Sequence, residues 1–462
     1  MALHRFIPRR IETGSSMSSI VRQILIAAAA AALVAGNGAA QLLPSVGLPP
    51  VNLPVANVPV AGPLAAPAVQ QLLNQPAARR AISPTLDSVA GLPASLAGAG
   101  APTLLELRRL RLQELIRTNR SQLEGDDKGQ PVARGRLIAV DPDPLSLQRA
   151  ARAGFAVLTE ERHNLLGLRV VQLRIPRGLG ARTALRQLRA AAPGIEADYD
   201  HVFEPAGGNL LPAAGALAAS RAAGAGRTIG MIDGGVASHP SLAAAPIEQN
   251  GFAGAPQPTG HGTAVASLIV GDQGPFRGAA RGSSLLVADV YGGNRAAGSA
   301  TSVVRALAWL AGRRAGVINI SLVGPPNKLM ARAIAGARAR GIQLVAAVGN
   351  DGPAAPPQYP ASYPGVIAVT GVDARGRALR EAGKATHLDF AAPGADMAAA
   401  LPGQGYASVR GTSFAAPLAA ARLAMVGSAQ RLAAEARPGR GRVGRGIVCA
   451  DCRVAPKAVR AK

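Results

Sequence analysis

Residues 228–235 read Thr-Ile-Gly-Met-Ile-Asp-Gly-Gly, a short apolar run that ends in an acid and a glycine turn. Runs of the same kind recur downstream at 285–290, 317–320, 342–347 and 366–370. Helical stretches separate them, the clearest at 300–313 and 327–340. Strands that are apolar throughout and alternate with helices are buried on both faces, which predicts a doubly wound parallel α/β sheet. In such a sheet the loops at the carboxyl ends of the strands converge on one edge, so residues far apart in sequence meet there.

Two further segments bear on that edge. Residues 260–266 read Gly-His-Gly-Thr-Ala-Val-Ala, a histidine at a glycine-flanked helix start. Residues 411–417 read Gly-Thr-Ser-Phe-Ala-Ala-Pro, a serine where a tight turn enters a helix. A serine hydroxyl is a poor nucleophile until a base takes its proton. His261 suits that task near neutral pH, and a carboxylate such as Asp233 would fix its tautomer and stabilise the imidazolium. Taken alone, each residue has a plainer reading as a turn former or helix cap. His239 reads as a turn residue, and His163, His201 and His387 have no constellation around them in sequence.

Taken together and in the order Asp233, His261, Ser413, the three segments resemble the signatures of the subtilisin-like serine proteases. The H-G-T-x-V-A and G-T-S-x-A-x-P motifs are intact, whereas residues 233–235 read Asp-Gly-Gly in place of Asp-Ser/Thr-Gly. That departure removes a hydroxyl beside the acid. The resemblance covers residues 226–427 and implies a catalytic triad of Asp233, His261 and Ser413. It also implies that Asn350, in Ala-Ala-Val-Gly-Asn-Asp-Gly at 346–352, donates to the oxyanion together with the backbone N–H of Ser413. Residues 319–325 resemble the strand that binds substrate backbone. Ser321, Leu322, Val323 and Gly324, with Ala347, Val348 and Gly349, are therefore expected to form an apolar pocket for the residue before the cut bond. The chemistry implies no metal and no cofactor. Family members often carry structural calcium on scattered loop oxygens, and no such ligand set stands out here.

Upstream, residues 1–40 have the basic start, apolar run and small-residue end of a signal peptide. Residues 41–102, rich in Ala and Pro, read as a linker. An amphipathic helix opens the next unit, 103–205, whose later part has the β-α-β-β-α-β order of a ferredoxin-like domain. The family resemblance makes this a propeptide-type domain, with residues 206–226 as the linker where self-cleavage falls. The peptidase domain is expected over 227–430 and a loose Arg/Gly-rich tail over 431–462.

The chain has 462 residues, 48% hydrophobic but only 3% aromatic, with a formal net charge of +24. Its arginines are dispersed and not interleaved with aromatics, so nucleic acid is not an expected partner. The charge is compatible with loose association with an acidic cell envelope, and nothing sets an oligomeric state. Cys449 and Cys452 lack neighbours for a zinc set, and a local disulfide in an exported protein is the economical reading. The expectation is a secreted or cell-surface serine endopeptidase, made as a self-processing zymogen, acting on proteins or peptides. The alternative is a surface-attached binding protein on a degenerate subtilisin-like fold.

Overall fold

The computed structural model describes residues 101–207, 209–213, 227–403 and 405–459. The expected signal peptide, nearly all of the Ala/Pro-rich linker and most of the expected cleavage segment lie outside the described residues.

The chain enters on helix α1 (Ala101–Thr118). Then come β1 (Leu123–Gly125), β2 (Pro131–Val140), α2 (Pro144–Arg152), β3 (Ala156–His163), β4 (Leu168–Arg174), α3 (Ala181–Ala191) and β5 (Ala197–His201). The strands form one antiparallel sheet in the order β1-β2-β4-β3, with β5 also on β2. From β2 onward this is the β-α-β-β-α-β order read from the sequence. Local chemistry explains the helix starts: Asp143 caps α2 by accepting from Ser146 N, with Pro144 in the first turn. In α3, Ala181, Ala184, Leu185 and Leu188 are buried against the sheet while its arginines face outward.

Two short strands follow, β6 (Glu204–Pro205) and β7 (Asn209–Ala213), and then the larger body. This runs through β8 (Thr228–Asp233), β9 (Ile247–Gly251), α4 (Gly260–Val270), the hairpin β10 (Asp272–Gln273) and β11 (Phe276–Arg277), β12 (Ser284–Asp289) and α5 (Ala300–Gly312). It continues through β13 (Val317–Ile320), β14 (Leu322–Val323), α6 (Lys328–Ala339), β15 (Gln343–Ala347), β16 (Ile367–Val372) and β17 (Phe390–Pro393). It closes with β18 (Met397–Ala400), β19 (Tyr406–Arg410), α7 (Thr412–Val426) and α8 (Ala429–Ala434).

Seven strands make one parallel sheet in the order β17-β16-β15-β13-β8-β12-β9. Successive residues alternate between its faces, as strand geometry requires. Met231, Val287, Val317 and Val345 join the core of α4 and α7, whereas Ile232, Ala288, Ile318 and Leu344 join that of α5 and α6. The chain leaves β8 in both directions across the sheet, which puts the topological switch, and the expected crevice, at the carboxyl end of β8.

The small domain sits on α5 and α6. Its Ile138, Val140, Leu168 and Val170 enter their apolar cluster. Two of its carboxylates also cap those helices. Asp198 Oδ2 accepts from Lys328 N at 2.8 Å, and the fully buried Asp200 accepts from Thr301 N at 3.0 Å. A negative charge at each helix start answers both the free N–H groups and the helix dipole.

The expected loose tail is instead packed. Ile447, Val448 and Val459 are buried, Arg437 and Ile447 exchange backbone hydrogen bonds, and Cys449 and Cys452 form a disulfide. Few apolar residues and no period mark this segment, so its order comes from backbone pairing with residues 376–391. Among the described residues, no helix is long and apolar enough to cross a membrane.

Candidate active site

Asp233 is the last residue of β8, at the carboxyl edge of the sheet, and its side chain is 1% exposed. Oδ1 accepts from Gly234 N at 2.7 Å and pairs with His261 Nδ1 at 2.9 Å. Oδ2 is buried without a hydrogen-bond partner, as is His261 Nε2. His261 is the second residue of α4, whose start is capped by Thr259 accepting from Gly262 N. Thr259 also explains the Asp-Gly-Gly departure. A Cβ on Gly234 would lie 2.5 Å from Thr259 Oγ1, so the space of the missing side chain is already filled.

Ser413 is the second residue of α7, where backbone N–H groups have no partner within the helix. The ring of the next residue, Phe414, lies 5.4 Å from that of His261. Ser413 Oγ donates to the carbonyl of Gly207 and not to the histidine. Asn350, three residues past β15, donates from Nδ2 to the same Gly207 carbonyl and to Ala206 O at 2.6 Å. Its Oδ1 accepts from Thr412 N at 3.0 Å, which ties it to the turn before the serine.

The segment on which these groups converge runs through the cleft as a strand. β6 pairs antiparallel with β14, Pro205 opposite Leu322 and Glu204 opposite Val323, and Ala206 N donates to Ser321 O at 2.8 Å. Beyond Gly207, β7 pairs antiparallel with β19, the strand that leads into Ser413. The chain's own residues thus occupy both sides of the cleft, with the Gly207 carbonyl between hydroxyl and amide.

Not every expected pocket residue faces that segment. Ser321 is wholly buried; its Oγ accepts from Asn319 Nδ2 and donates to the Ser413 carbonyl, both at 3.0 Å. It braces the serine's backbone, and only its carbonyl meets the threaded strand. Leu322 likewise gives the strand its backbone and turns its side chain into the apolar cluster with Ile320 and Phe203. Val323 and Gly349 do meet, since a Cβ on Gly349 would lie 3.1 Å from Val323 Cγ1. Gly324 makes room for the Phe203 ring, 2.6 Å from where its Cβ would be. Ala347 and Val348 are buried at the end of β15.

Other side chains of the cleft carry no motif in the sequence. Asp351 is held by Arg108 and Arg111 of α1, and Tyr291 Oη donates to Phe203 O at 3.1 Å. Burial, with help from nearby Asp233, raises the Tyr291 phenol well above its ordinary value and keeps it neutral. His239 caps a short turn and bonds Gly405 O, with burial lowering its pKa. His201 does have partners: Asp126 at 3.1 Å and Asn327 at 3.0 Å, at the junction of small domain and peptidase body. Among the described residues, no group of three or more His, Cys, Asp or Glu side chains is arranged to hold a metal ion.

The Subtilase family profile matches residues 224–436. Subtilisin Savinase from Lederbergia lenta is 32% identical over 215 residues, 44% of this chain and 77% of that protein. The chain belongs to the subtilase family. The alkaline protease of Alkalihalobacillus alcalophilus is also 32% identical over 215 residues, 44% of this chain and 54% of that protein, so the match spans about half its length. Among solved structures, fervidolysin from Fervidobacterium pennivorans, a keratinolytic enzyme related to subtilisin, shares the fold. The TM-score is 0.59 at 20% identity, over 70% of this chain and 61% of that one. The segments that carry Asp233, His261, Asn350 and Ser413 all lie inside the part of this subtilase that the family profile matches.

Proposed function

We propose that this subtilase is an exported serine endopeptidase, made as a zymogen that cuts its own Gly207–Gly208 bond. The observation that carries the reading is the Gly207 carbonyl, which accepts from both Ser413 Oγ and Asn350 Nδ2 on a segment strand-paired on either side. In this arrangement the hydroxyl still points at the carbonyl oxygen. The reaction begins when Oγ turns to the unpartnered His261 Nε2, gives up its proton and attacks the Gly207 carbon. Asp233 holds the imidazole through Nδ1 and stabilises its charged form. The tetrahedral oxyanion is met by Asn350 Nδ2 and the Ser413 backbone N–H; in subtilisin, loss of such an amide donor costs on the order of 10²–10³ in turnover. His261 then protonates the Gly208 nitrogen, which leaves, and the Gly207 acyl group stays esterified to Ser413 until water, activated by the same histidine, releases it.

The small domain fits the part of an inhibitory propeptide, since it precedes the cut, caps two peptidase helices and feeds its own chain into the cleft. The relatives lend no support to the binding-protein alternative. A fluorophosphonate tests the chemistry directly: it is expected to label the processed wild-type chain at Ser413 and to abolish hydrolysis of casein. A folded, processed chain that neither labels nor hydrolyses casein would refute the reading.

A further inference from the structure

Helix α7 carries a proline one turn after Ser413: Pro417 lies inside Thr412–Val426. In an α-helix the Ser413 carbonyl would accept from the backbone nitrogen of residue 417, and proline has no N–H to give. Ser413 is wholly buried, and a buried carbonyl needs a donor. Ser321 Oγ supplies one from outside the helix, at 3.0 Å. A hydroxyl has a single proton, and its direction here is set from behind. Asn319 Nδ2 donates to the same Oγ at 3.0 Å, so the hydroxyl proton goes to the Ser413 carbonyl. Asn319 is itself wholly buried, and its Oδ1 has no hydrogen-bond partner. That arrangement is costly unless the amide nitrogen is needed where it is.

The contact falls beside the oxyanion donor. The Ser413 N–H belongs to the peptide unit that joins residues 412 and 413. The unit before it is held through Thr412 N by Asn350 Oδ1 at 3.0 Å. The unit after it is held through the Ser413 carbonyl by Ser321. Ser321 also meets the threaded strand, since its own carbonyl accepts from Ala206 N at 2.8 Å, next to Gly207. The backbone of one residue therefore holds the segment to be cut, and its side chain holds the backbone of the serine.

We propose that Ser321 is a positioning residue for peptide hydrolysis. Its hydroxyl replaces the helical hydrogen bond that Pro417 removes, and so fixes the Ser413 N–H and Oγ against a substrate held by the Ser321 carbonyl. The inference rests on the serine endopeptidase reading. Loss of the hydroxyl leaves the carbonyl in place, so turnover suffers and substrate binding does not.

The full chain, allowed to process itself, is assayed on one quenched peptide as wild type, Ser321→Ala, Pro417→Ala and the double variant. Active enzyme is counted by the fluorophosphonate taken up at completion. Ser321→Ala is expected to lower kcat on the order of tenfold, with KM within about twofold. Pro417→Ala restores an N–H opposite the Ser413 carbonyl, so in the Pro417→Ala background the same loss of hydroxyl should cost far less. A merely structural defect at residue 321 would not be mended from residue 417. Should Ser321→Ala alone fail to fold, the double variant decides. A kcat near that of Pro417→Ala supports the proposal, and a deficit as large as that expected of Ser321→Ala overturns it. An unchanged kcat in Ser321→Ala, a loss carried by KM, or a loss that Pro417→Ala leaves in place would also overturn it. Labelling keeps the two readings apart. A labelled Ser321→Ala enzyme with wild-type kcat removes only the positioning claim, whereas a folded wild-type chain that neither labels nor cleaves removes both.

Discussion

At the scale of single residues, Gly234 shows how a departure from a family motif is absorbed. The hydroxyl that the motif would place beside Asp233 has no room, because Thr259 occupies that volume while capping α4. Asp233 keeps its orientation through Gly234 N and His261 Nδ1, at the cost of an unpartnered Oδ2. Restoring the family residue should therefore harm this protein. Gly234→Ser is expected to lower stability by about 1–3 kcal/mol through overpacking, read as a shifted urea midpoint in the Ser413→Ala background. Thr259→Ala should recover part of that loss when combined with it, so the pair would be non-additive. Asp233, His261 and Ser413 are legible as candidates because each sits in a short glycine-bounded motif. Asp351 is not, because the partners that give it meaning lie 240 and 243 positions away on α1.

At the scale of elements, legibility followed local signal. β13 (Val317–Ile320) has the bounds read from its apolar run, in which Val317, Ile318 and Ile320 are β-branched. The tail around Cys449–Cys452 was misread as loose because its order rests on distant backbone partners. Ser321 and Leu322 are expected in the pocket from the family resemblance, which does not say which side of this short extended segment faces the cleft. The two helix caps make a prediction at this scale. Asp200 receives Thr301 N, Thr301 Oγ1 and Arg136 while fully buried. Asp200→Ala should destabilise the docked small domain by about 1–3 kcal/mol, because a buried N–H and a guanidinium lose their partner. Hydrogen exchange at the start of α5 in Ser413→Ala would read it; unchanged protection there would count against the docking described.

At the scale of the whole molecule, the small domain and the peptidase body share an apolar cluster and a polar seam. Asp126 belongs to that seam, accepting from Lys128 N, Gln130 N and His201 Nε2. Burial pulls its pKa up, but the bond to His201 and the two backbone donors outweigh burial and hold it below the ordinary carboxylate value. The folded chain thus holds this proton less tightly than the unfolded one. The stabilisation is complete above the ordinary carboxylate value and fades as pH falls through the depressed one. Asp126→Asn should accordingly cost stability at about pH 6 and much less below about pH 3, measured as urea midpoints in the Ser413→Ala chain. A cost that does not change with pH would assign Asp126 no such role.

The central claim is that Ser413 cuts the strand now lying in its own cleft. Intact mass of the purified wild-type chain and of Ser413→Ala, expressed side by side, tests it most directly. Wild type is expected to yield a fragment beginning at Gly208, while Ser413→Ala keeps residues 207 and 208 joined. Both chains remaining uncut although folded, or both cut alike at another bond, would contradict it.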